Sequence, residues 1–274
     1  DGVAEVFAPE RKLVFESLSS PPVMLHRHVQ FDKLLVACRP LDALPTAVVW
    51  PMDRPSLEGA LQAATEGLIV PILIGPAPLI TRLAQEAGCS IAGMTLLDAD
   101  TPAHAAARAV AMAAEGRVRA LMKGSLHSDV LLEHVVAREG GLRTERRVSH
   151  VFVMDTPGID HPLFITDAAI NIAPDLNAKR DITQNAIDLA RACGIERPRV
   201  GVLSAVETVN PNIPSTLDAA ALSKMADRGQ IEGGDVDGPL AMDNAIDVEA
   251  ARTKGITSLV AGRADVLVVP NLEA

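Results

Sequence analysis

From residue 46 onward, short apolar runs alternate with longer stretches of helical periodicity, and glycine or proline separates most of them. This alternation is typical of βαβ units, in which crossover helices join parallel strands. The expected strands cover residues 46–50, 69–74, 120–122, 148–155, 164–172, 200–203 and 266–269. The expected helices cover residues 56–66, 78–87, 103–115, 181–193, 216–228 and 243–254. We therefore predict an α/β protein with mostly parallel sheets.

The apolar content supports a large aliphatic core. Of the 274 residues, 48% are hydrophobic, and the aromatic residues are five Phe, one Trp and no Tyr. This mixture suits helices packed on buried parallel strands better than it suits a β-sandwich. No run approaches the roughly 18 uninterrupted apolar residues that would cross a bilayer, so we expect no membrane partner.

The formal charge and the cysteines exclude further classes of protein. A net charge of −10 has the wrong sign for a protein that binds the phosphate backbone, so we expect no nucleic-acid partner. Cys38, Cys89 and Cys193 are far apart, with neither a CxxC pair nor zinc-ligand spacing. We therefore expect a cytoplasmic protein with no bound metal.

One loop combines a cation, a glycine and several hydroxyl groups between a predicted strand and a helix. Lys123 supplies a positive charge, Gly124 permits close backbone approach, and Ser125 and Ser128 lie beside the amides of the helix start. Such a loop is suited to bind a phosphate group. The alternative is that Ser128 is an ordinary N-cap.

A basic cluster follows this loop in a chain that is acidic overall. Arg143, Arg146 and Arg147 lie close together, and Ser149 comes just after them. Because guanidinium groups bind phosphate oxygens in a bidentate manner, one of these arginines is a candidate phosphate or pyrophosphate ligand. For at least two of the three, the alternative is solvated surface charge.

Polar residues also follow the later predicted strands. Asp167 is a candidate general base or orienting group, and Asn171 lies four residues further on, on the same face if the segment is helical. A capping aspartate with an exposed asparagine is the alternative. Ser204 follows the strand at residues 200–203, and Asp243 lies at the start of a predicted helix.

Taken together, several short strings resemble one enzyme family, the phosphate acetyl/butyryltransferases. The resemblance runs from about residue 44 to residue 274 and is carried by Met122-Lys123-Gly124, Gly141-Leu142-Arg143, Ser149-His150-Val151, Ile165-Thr166-Asp167, Leu203-Ser204-Ala205-Val206-Glu207, Asp237-Gly238-Pro239-Leu240 and Val269-Pro270-Asn271-Leu272.

The resemblance implies a two-lobed fold like that of isocitrate dehydrogenase, with an interlobe cleft, usually as a homodimer. It also implies metal-free transfer of a short acyl group between coenzyme A and inorganic phosphate, the two substrates. We then expect Ser128 and Arg143 to bind phosphate, Lys123 to bind phosphate groups of CoA or the acyl phosphate, and Ser204 to donate a hydrogen bond near the reacting carbonyl. Asp167 or Asp243 would orient or deprotonate the phosphate, and Ser125, Ser149 and Asn171 would complete the substrate site.

The chain divides into two expected parts. Residues 1–44 resemble a linker from a preceding enoyl-CoA hydratase domain, as in bifunctional hydratase/acyltransferases, and residues 45–274 form the acyltransferase domain. The family pattern continues past residue 274 with a Ser-Arg motif, so we expect this domain to be C-terminally incomplete. Two alternatives remain, a non-catalytic acetyl-CoA-binding regulatory domain of the same fold and an NAD-dependent dehydrogenase.

Overall fold

The computed structural model describes residues 28–274. Residues 1–27, which hold most of the predicted linker, lie outside the described residues. The linker was also expected to include residues 28–44, but Val29–Cys38 forms helix α1. The backbone amides of Gln30 and Phe31 in its first turn donate to the carboxylate of Asp155. Helix α1 is therefore anchored to the body of the protein at its N-terminal end.

The first sheet has four parallel strands in the order β3-β2-β1-β4. These strands are β1 (Leu44–Val49), β2 (Ile69–Gly75), β3 (Thr95–Asp98) and β4 (Ala120–Lys123). The connecting helices are α2 (Arg54–Thr65), α3 (Ala77–Glu86) and α4 (Pro102–Ala114), and α5 (Ser128–Val135) follows β4. This is the expected βαβ pattern.

The second sheet has five strands in the order β5-β6-β9-β7-β8. They are β5 (Val151–Met154), β6 (Leu163–Thr166), β7 (Arg199–Leu203), β8 (Asp235–Leu240) and β9 (Val266–Val268). Only β5 is antiparallel to its neighbour. The helices of this part are α6 (Leu176–Ala192), α7 (Pro214–Asp227), α8 (Met242–Ile246) and α9 (Val248–Thr253).

Apolar cores lie on both faces of each sheet. In the first part, Val49 and Ile74 pack against α4 on one face, and Val48 and Leu73 pack against α2 and α3 on the other. In the second part, one core contains Phe164 together with residues of α6 and α7, and another lies beside α8 and α9. The expectation of an α/β protein with mostly parallel sheets is confirmed.

Side-chain caps determine where several helices begin. Asp53 precedes α2 and accepts a hydrogen bond from the Ser56 amide at 2.8 Å. Thr101 and Asp175 cap α4 and α6 in the same way. A capped N-terminus satisfies backbone donors that the helix leaves free, so these side chains determine where the three helices begin.

The structure corrects several element boundaries. Strands β3 and β8 were both missed, since residues 95–98 and 235–240 had no predicted element. The helix expected at residues 243–254 is divided into α8 and α9, because the Asp247 side chain accepts hydrogen bonds from the Glu249 and Ala250 amides and starts a new helix. In the described part of the chain, no helix has the length and apolar character needed to cross a bilayer.

Candidate active site

The sequence-predicted residues follow strands at the carboxyl edges of both sheets. Lys123 ends β4, Ser125 lies in the loop that follows, and Ser128 begins α5, whereas Asp167 and Ser204 follow β6 and β7. Ligands of parallel α/β sheets bind at this edge, where loops lead into helix N-termini. The candidate residues therefore form two groups, one at the carboxyl edge of each sheet.

The loop after β4 is joined to the loop after β1. The amides of Gly124 and Ser125 donate to the carbonyls of Val49 and Trp50 at 2.8 and 2.9 Å. The Ser125 hydroxyl donates to the Trp50 carbonyl and accepts from the Met52 amide, both at 3.1 Å. A Cβ atom on Gly124 would overlap this backbone. Ser125 therefore fixes the loop, and its role as a substrate ligand stays a prediction.

Lys123 and Ser128, at the two ends of this loop, differ in their contacts with the rest of the protein. The Lys123 ammonium donates to the carbonyls of Gly124 at 3.3 Å and Leu126 at 2.9 Å. Ser128 is the first residue of α5, is exposed, and is preceded by His127 as the N-cap residue. The alternative that Ser128 is the N-cap is wrong. Its hydroxyl lies at a helix N-terminus on the carboxyl edge, as a phosphate ligand requires.

Asp167 is buried at the end of β6 and is surrounded by N–H donors. Its carboxylate accepts from the amides of Ala169 and Ile170, both at 2.9 Å, and from the backbone and side chain of Asn171. Burial acts to raise the pKa of Asp167, but these donors outweigh it and hold the pKa below its usual value. For the carboxylate itself this geometry matches the capping alternative, because N–H groups of its own loop engage it. A role of Asp167 in orienting or deprotonating phosphate stays a prediction.

Asn171 links this loop to the preceding segment. Its amide nitrogen donates to the Val148 carbonyl at 3.0 Å, and its oxygen accepts from Arg147 at 3.3 Å. The condition of a helix, on which Asp167 and Asn171 would share a face, is not met, because the chain bends over residues 167–170 after β6. The expectation of an exposed asparagine is also wrong, since Asn171 is buried.

The arginine cluster separates into bonded and free side chains. Arg146 forms an ion pair with Asp188 at 2.6 Å, and Arg147 is bonded to Asn171. Arg143 is exposed, has no side-chain partner among residues 28–274, and lines a cavity of about 490 Å³ with Arg147 and Asn171. Arg143 is therefore the arginine that remains available to a ligand. Its role as a phosphate ligand stays a prediction.

Ser149 is held by helix α6. Its hydroxyl accepts a hydrogen bond from the Asn185 side chain at 2.9 Å, and the same Asn185 nitrogen donates to the Arg147 carbonyl. The hydroxyl keeps a donor of its own, so binding of a substrate by Ser149 stays a prediction.

A larger cavity of about 850 Å³ lies at the carboxyl ends of β6, β7 and β9. Most of its wall is apolar and comes from Ile165, Ala173, Pro174, Leu203, Ala205, Pro214, Met242, Leu267, Val269 and Pro270. Ser204 lies in this wall, is 8% exposed, and its hydroxyl is 2.8 Å from that of Ser215. The position of Ser204 directly after β7 confirms that the serine follows a strand end, as the sequence indicated.

The cavity wall also contains residues that the sequence analysis missed. Lys179 of α6 is 5% exposed, and its ammonium lies 2.7 Å from the carboxylate of Asp218 in α7. Ser215, Lys179 and Asp218 all lie near the N-termini of helices that follow strand ends. Their positions near helix N-termini were a signal that the sequence offered. The sequence did not show which of these side chains contact one another.

Asp243 lies in the first turn of α8 beside this cavity, next to Met242 of its wall. Its carboxylate accepts from the Asn244 amide at 2.8 Å and from Lys254 at 3.3 Å. These donors, the amide first, hold the pKa of Asp243 below its usual value. Lys254 also pairs with Glu207 at 3.3 Å. Asp243 is therefore an exposed, charged carboxylate, and its role in deprotonating phosphate stays a prediction.

Metal ligands are not grouped at this site. Within residues 28–274, no set of three or more His, Cys, Asp or Glu side chains is arranged to hold an ion. The polar side chains in the cavity wall are Ser204, Ser215, Asn271 and the Lys179–Asp218 ion pair.

Comparison with known proteins places the chain among similar enzymes. The model of the phosphate acetyl/butaryl transferase family matches residues 92–274. The chain is 58% identical over 245 residues to a phosphate acetyltransferase of Rhizobium meliloti, covering 89% of this chain and 78% of that protein. It is 41% identical over 243 residues to a phosphate butyryltransferase of Clostridium acetobutylicum, covering 89% of this chain and 81% of that protein.

Solved structures share the fold. A branched-chain phosphotransacylase from Enterococcus faecalis V583 superimposes with a TM-score of 0.69 at 26% identity, covering 84% of this chain and 80% of that one. A phosphotransacetylase from Streptococcus pyogenes gives a TM-score of 0.73 at 19% identity, covering 89% and 82%. Because its identity is only 19%, the similarity to the Streptococcus pyogenes protein shows a shared fold alone.

Proposed function

The chain belongs to the phosphate acetyl/butaryl transferase family, and from this premise we propose that it transfers a short acyl group between coenzyme A and inorganic phosphate. The reaction is acyl-CoA plus phosphate giving acyl phosphate plus CoA. A phosphate oxygen attacks the thioester carbonyl, the C–O bond forms, and the C–S bond breaks to release the CoA thiolate, which then takes a proton. The enzyme mainly orients the two substrates and stabilises the oxyanion that develops.

The observation that carries the proposal is the position of Ser204 in an apolar cavity at the carboxyl edge of the second sheet. The cavity is large enough, at about 850 Å³, to accept an acyl group and the thioester beside it. The nearly buried Ser204 hydroxyl is available as a donor because it shares its hydrogen bonding with Ser215. Once the bound substrate displaces water from these apolar walls, such a donor stabilises developing negative charge far better than one in water.

The remaining residues have supporting roles in this proposal. Ser128 and Arg143 bind phosphate, and Lys123 contributes positive charge to phosphate groups of CoA or of the acyl phosphate. Asp167 orients the loop that carries Asn171. Asp243, whose pKa is lowered, is the carboxylate that orients phosphate by accepting a hydrogen bond from it. This assignment is supported by the exposure of Arg143 and Ser128 and by the donors that surround Asp167.

The assembly and surroundings belong to the same proposal. We infer a homodimer in the cytoplasm that needs no metal or organic cofactor, and a hydratase domain that precedes residue 1 in the full chain. The three free cysteines support a reducing compartment. No observation favours a regulatory domain or a dehydrogenase.

The proposal is tested by incubating the purified protein with acyl-CoA of increasing chain length, with and without phosphate. Free thiol and acyl phosphate are measured in each mixture. Equal amounts of both products, formed only with phosphate present, support the proposal. Thiol release that is independent of phosphate contradicts it.

A further inference from the structure

The cavity wall contains a buried cation that the proposed chemistry leaves without a role. Among the side chains that the structure describes, Lys179 is the one buried Lys or Arg, at 5% exposure. Its ammonium carries three N–H donors, and one of them is bonded to Asp218 at 2.7 Å. No second protein acceptor lies within hydrogen-bond distance of this nitrogen in the described chain.

The surroundings of Lys179 make its charge costly. Burial removes water from the ammonium, and replacing a buried ion pair by apolar residues is often neutral or stabilising. Lys179 also lies in the first turn of α6, at the end where the helix dipole disfavours a cation. Asp218 compensates only part of this cost, because its own side chain is 29% exposed. Fold stability alone therefore gives no reason for a lysine here.

The cavity beside Lys179 suggests what the two free donors bind. Ser204 and Ser215 supply further hydroxyl groups, and the opposite walls are apolar. The N-termini of α6 and α7, which begin at Leu176 and Pro214, add positive potential at the same edge. An occupant with an oxygen-rich anionic end and an apolar end matches this arrangement.

We propose that the Lys179 ammonium, positioned by Asp218, binds a phosphoryl oxygen of inorganic phosphate or of the acyl phosphate, while the apolar walls hold the acyl chain. This inference rests on the proposed function and adds a substrate-binding residue to it. Asp218 is a positioning residue, since it acts through Lys179.

The test measures KM for phosphate, KM for acyl-CoA and melting temperature in four variants. Lys179→Met removes the charge, and Lys179→Arg keeps it. The double variant Lys179→Met/Asp218→Leu removes both charges and so avoids leaving an uncompensated carboxylate. Arg199→Met is the matched control, because Arg199 pairs with the buried Asp265 at 2.8 Å before β9, at the opposite edge of the sheet.

We expect KM for phosphate to rise on the order of tenfold or more in Lys179→Met and in the double variant, with KM for acyl-CoA within about twofold of the unmodified protein. Lys179→Arg should recover part of the loss, and Arg199→Met should lower the melting temperature with KM for phosphate unchanged. Unchanged KM for phosphate in a double variant that melts like the unmodified protein would overturn the inference. A rise in KM for acyl-CoA alone would also overturn it, because a CoA phosphate would then be the ligand.

Failure of the proposed function gives a different experimental result from failure of the Lys179 inference. If the unmodified protein transfers no acyl group, the proposed function is wrong, and calorimetric titration with inorganic phosphate tests Lys179 by itself. Phosphate binding that the double variant loses supports the inference, and equal binding by both proteins, or none by either, contradicts it.

Discussion

The hydroxyl oxygens of Ser204 and Ser215 lie 2.8 Å apart in the wall of the apolar cavity. Either hydroxyl can donate to the other, so the orientation of one O–H group determines whether the other hydroxyl donates or accepts. When Ser204 donates to a substrate oxygen, Ser215 can donate to Ser204. The pair therefore acts as a short donor chain that ends in the cavity.

Removal of the Ser204 hydroxyl should mainly affect the chemical step. We expect Ser204→Ala to lower kcat by about 10²–10³, as for loss of one oxyanion donor, with both KM values changed little. Ser215→Ala should have a smaller effect because it acts through Ser204. Ser90→Ala, an exposed serine near the first sheet, is the control. A Ser204→Ala variant with normal kcat would remove this serine from the mechanism.

Asp167→Asn should destabilise the fold in a pH-dependent way. At pH 7 the variant loses about 3 kcal/mol of unfolding free energy, because a charged acceptor of several N–H bonds becomes an amide. The pKa of Asp167 is lowered by folding, so its contribution is present above the unfolded pKa and is lost as the pH falls through the folded pKa.

Denaturant unfolding of both proteins at pH 7, 5 and 3 measures this effect. The difference between them should be largest at pH 7 and shrink at pH 3. Asp100→Asn, at an exposed position, should stay within about 0.5 kcal/mol of the unmodified protein. A difference for Asp167→Asn that is constant or grows toward acid pH would refute the assigned role of its carboxylate.

Gly124→Ala should displace the loop after β4. The added methyl group would overlap the backbone of Val49 and Trp50, so the loop must move and Ser128 with it. We expect a large rise in KM for phosphate. Gly59→Ala is the matched control, because a methyl group in the middle of α2 meets only Met122 at 3.8 Å, and the variant should gain up to about 1 kcal/mol. Equal kinetics in the two variants would show that the loop has no part in binding.

The first sheet could be predicted well from the sequence because its central strands are buried apolar runs bounded by glycine or proline. Strand β3 was missed since it is a short edge strand with exposed ends. Strand β6 was predicted too long, because the apolar residues after Thr166 belong to a loop that Asp167 holds.

The site was only partly predictable for a related reason. A residue directly after a strand, such as Ser204, can be placed at the sheet edge from local pattern alone. Lys179 and Asp218 are 39 residues apart on different helices, and the local pattern of neither helix shows that they meet. Similarly, Asp188 and Asn171 bind the two neighbouring arginines through contacts that are distant in sequence. The local pattern therefore does not show that Arg143 is the one of the three without a side-chain partner in the described chain.

Arg143→Lys should weaken phosphate binding selectively. Lysine keeps the charge but cannot form two parallel hydrogen bonds to phosphate, so KM for phosphate should rise several-fold more than KM for acyl-CoA. Arg252→Lys, in an exposed pair with Glu249, is the control and should change neither value. Small, equal effects of Arg143→Lys on both KM values would reduce this arginine to surface charge.

The most direct test of acyl transfer is the stoichiometry of products from butyryl-CoA or acetyl-CoA and phosphate after exhaustive treatment with a chelator. One acyl phosphate should form for each thiol released, the rate should saturate with phosphate, and the chelator should leave it unchanged. Activity that returns only when one divalent ion is added would contradict the metal-free mechanism. Thiol release without acyl phosphate would contradict the central claim that phosphate is the acyl acceptor.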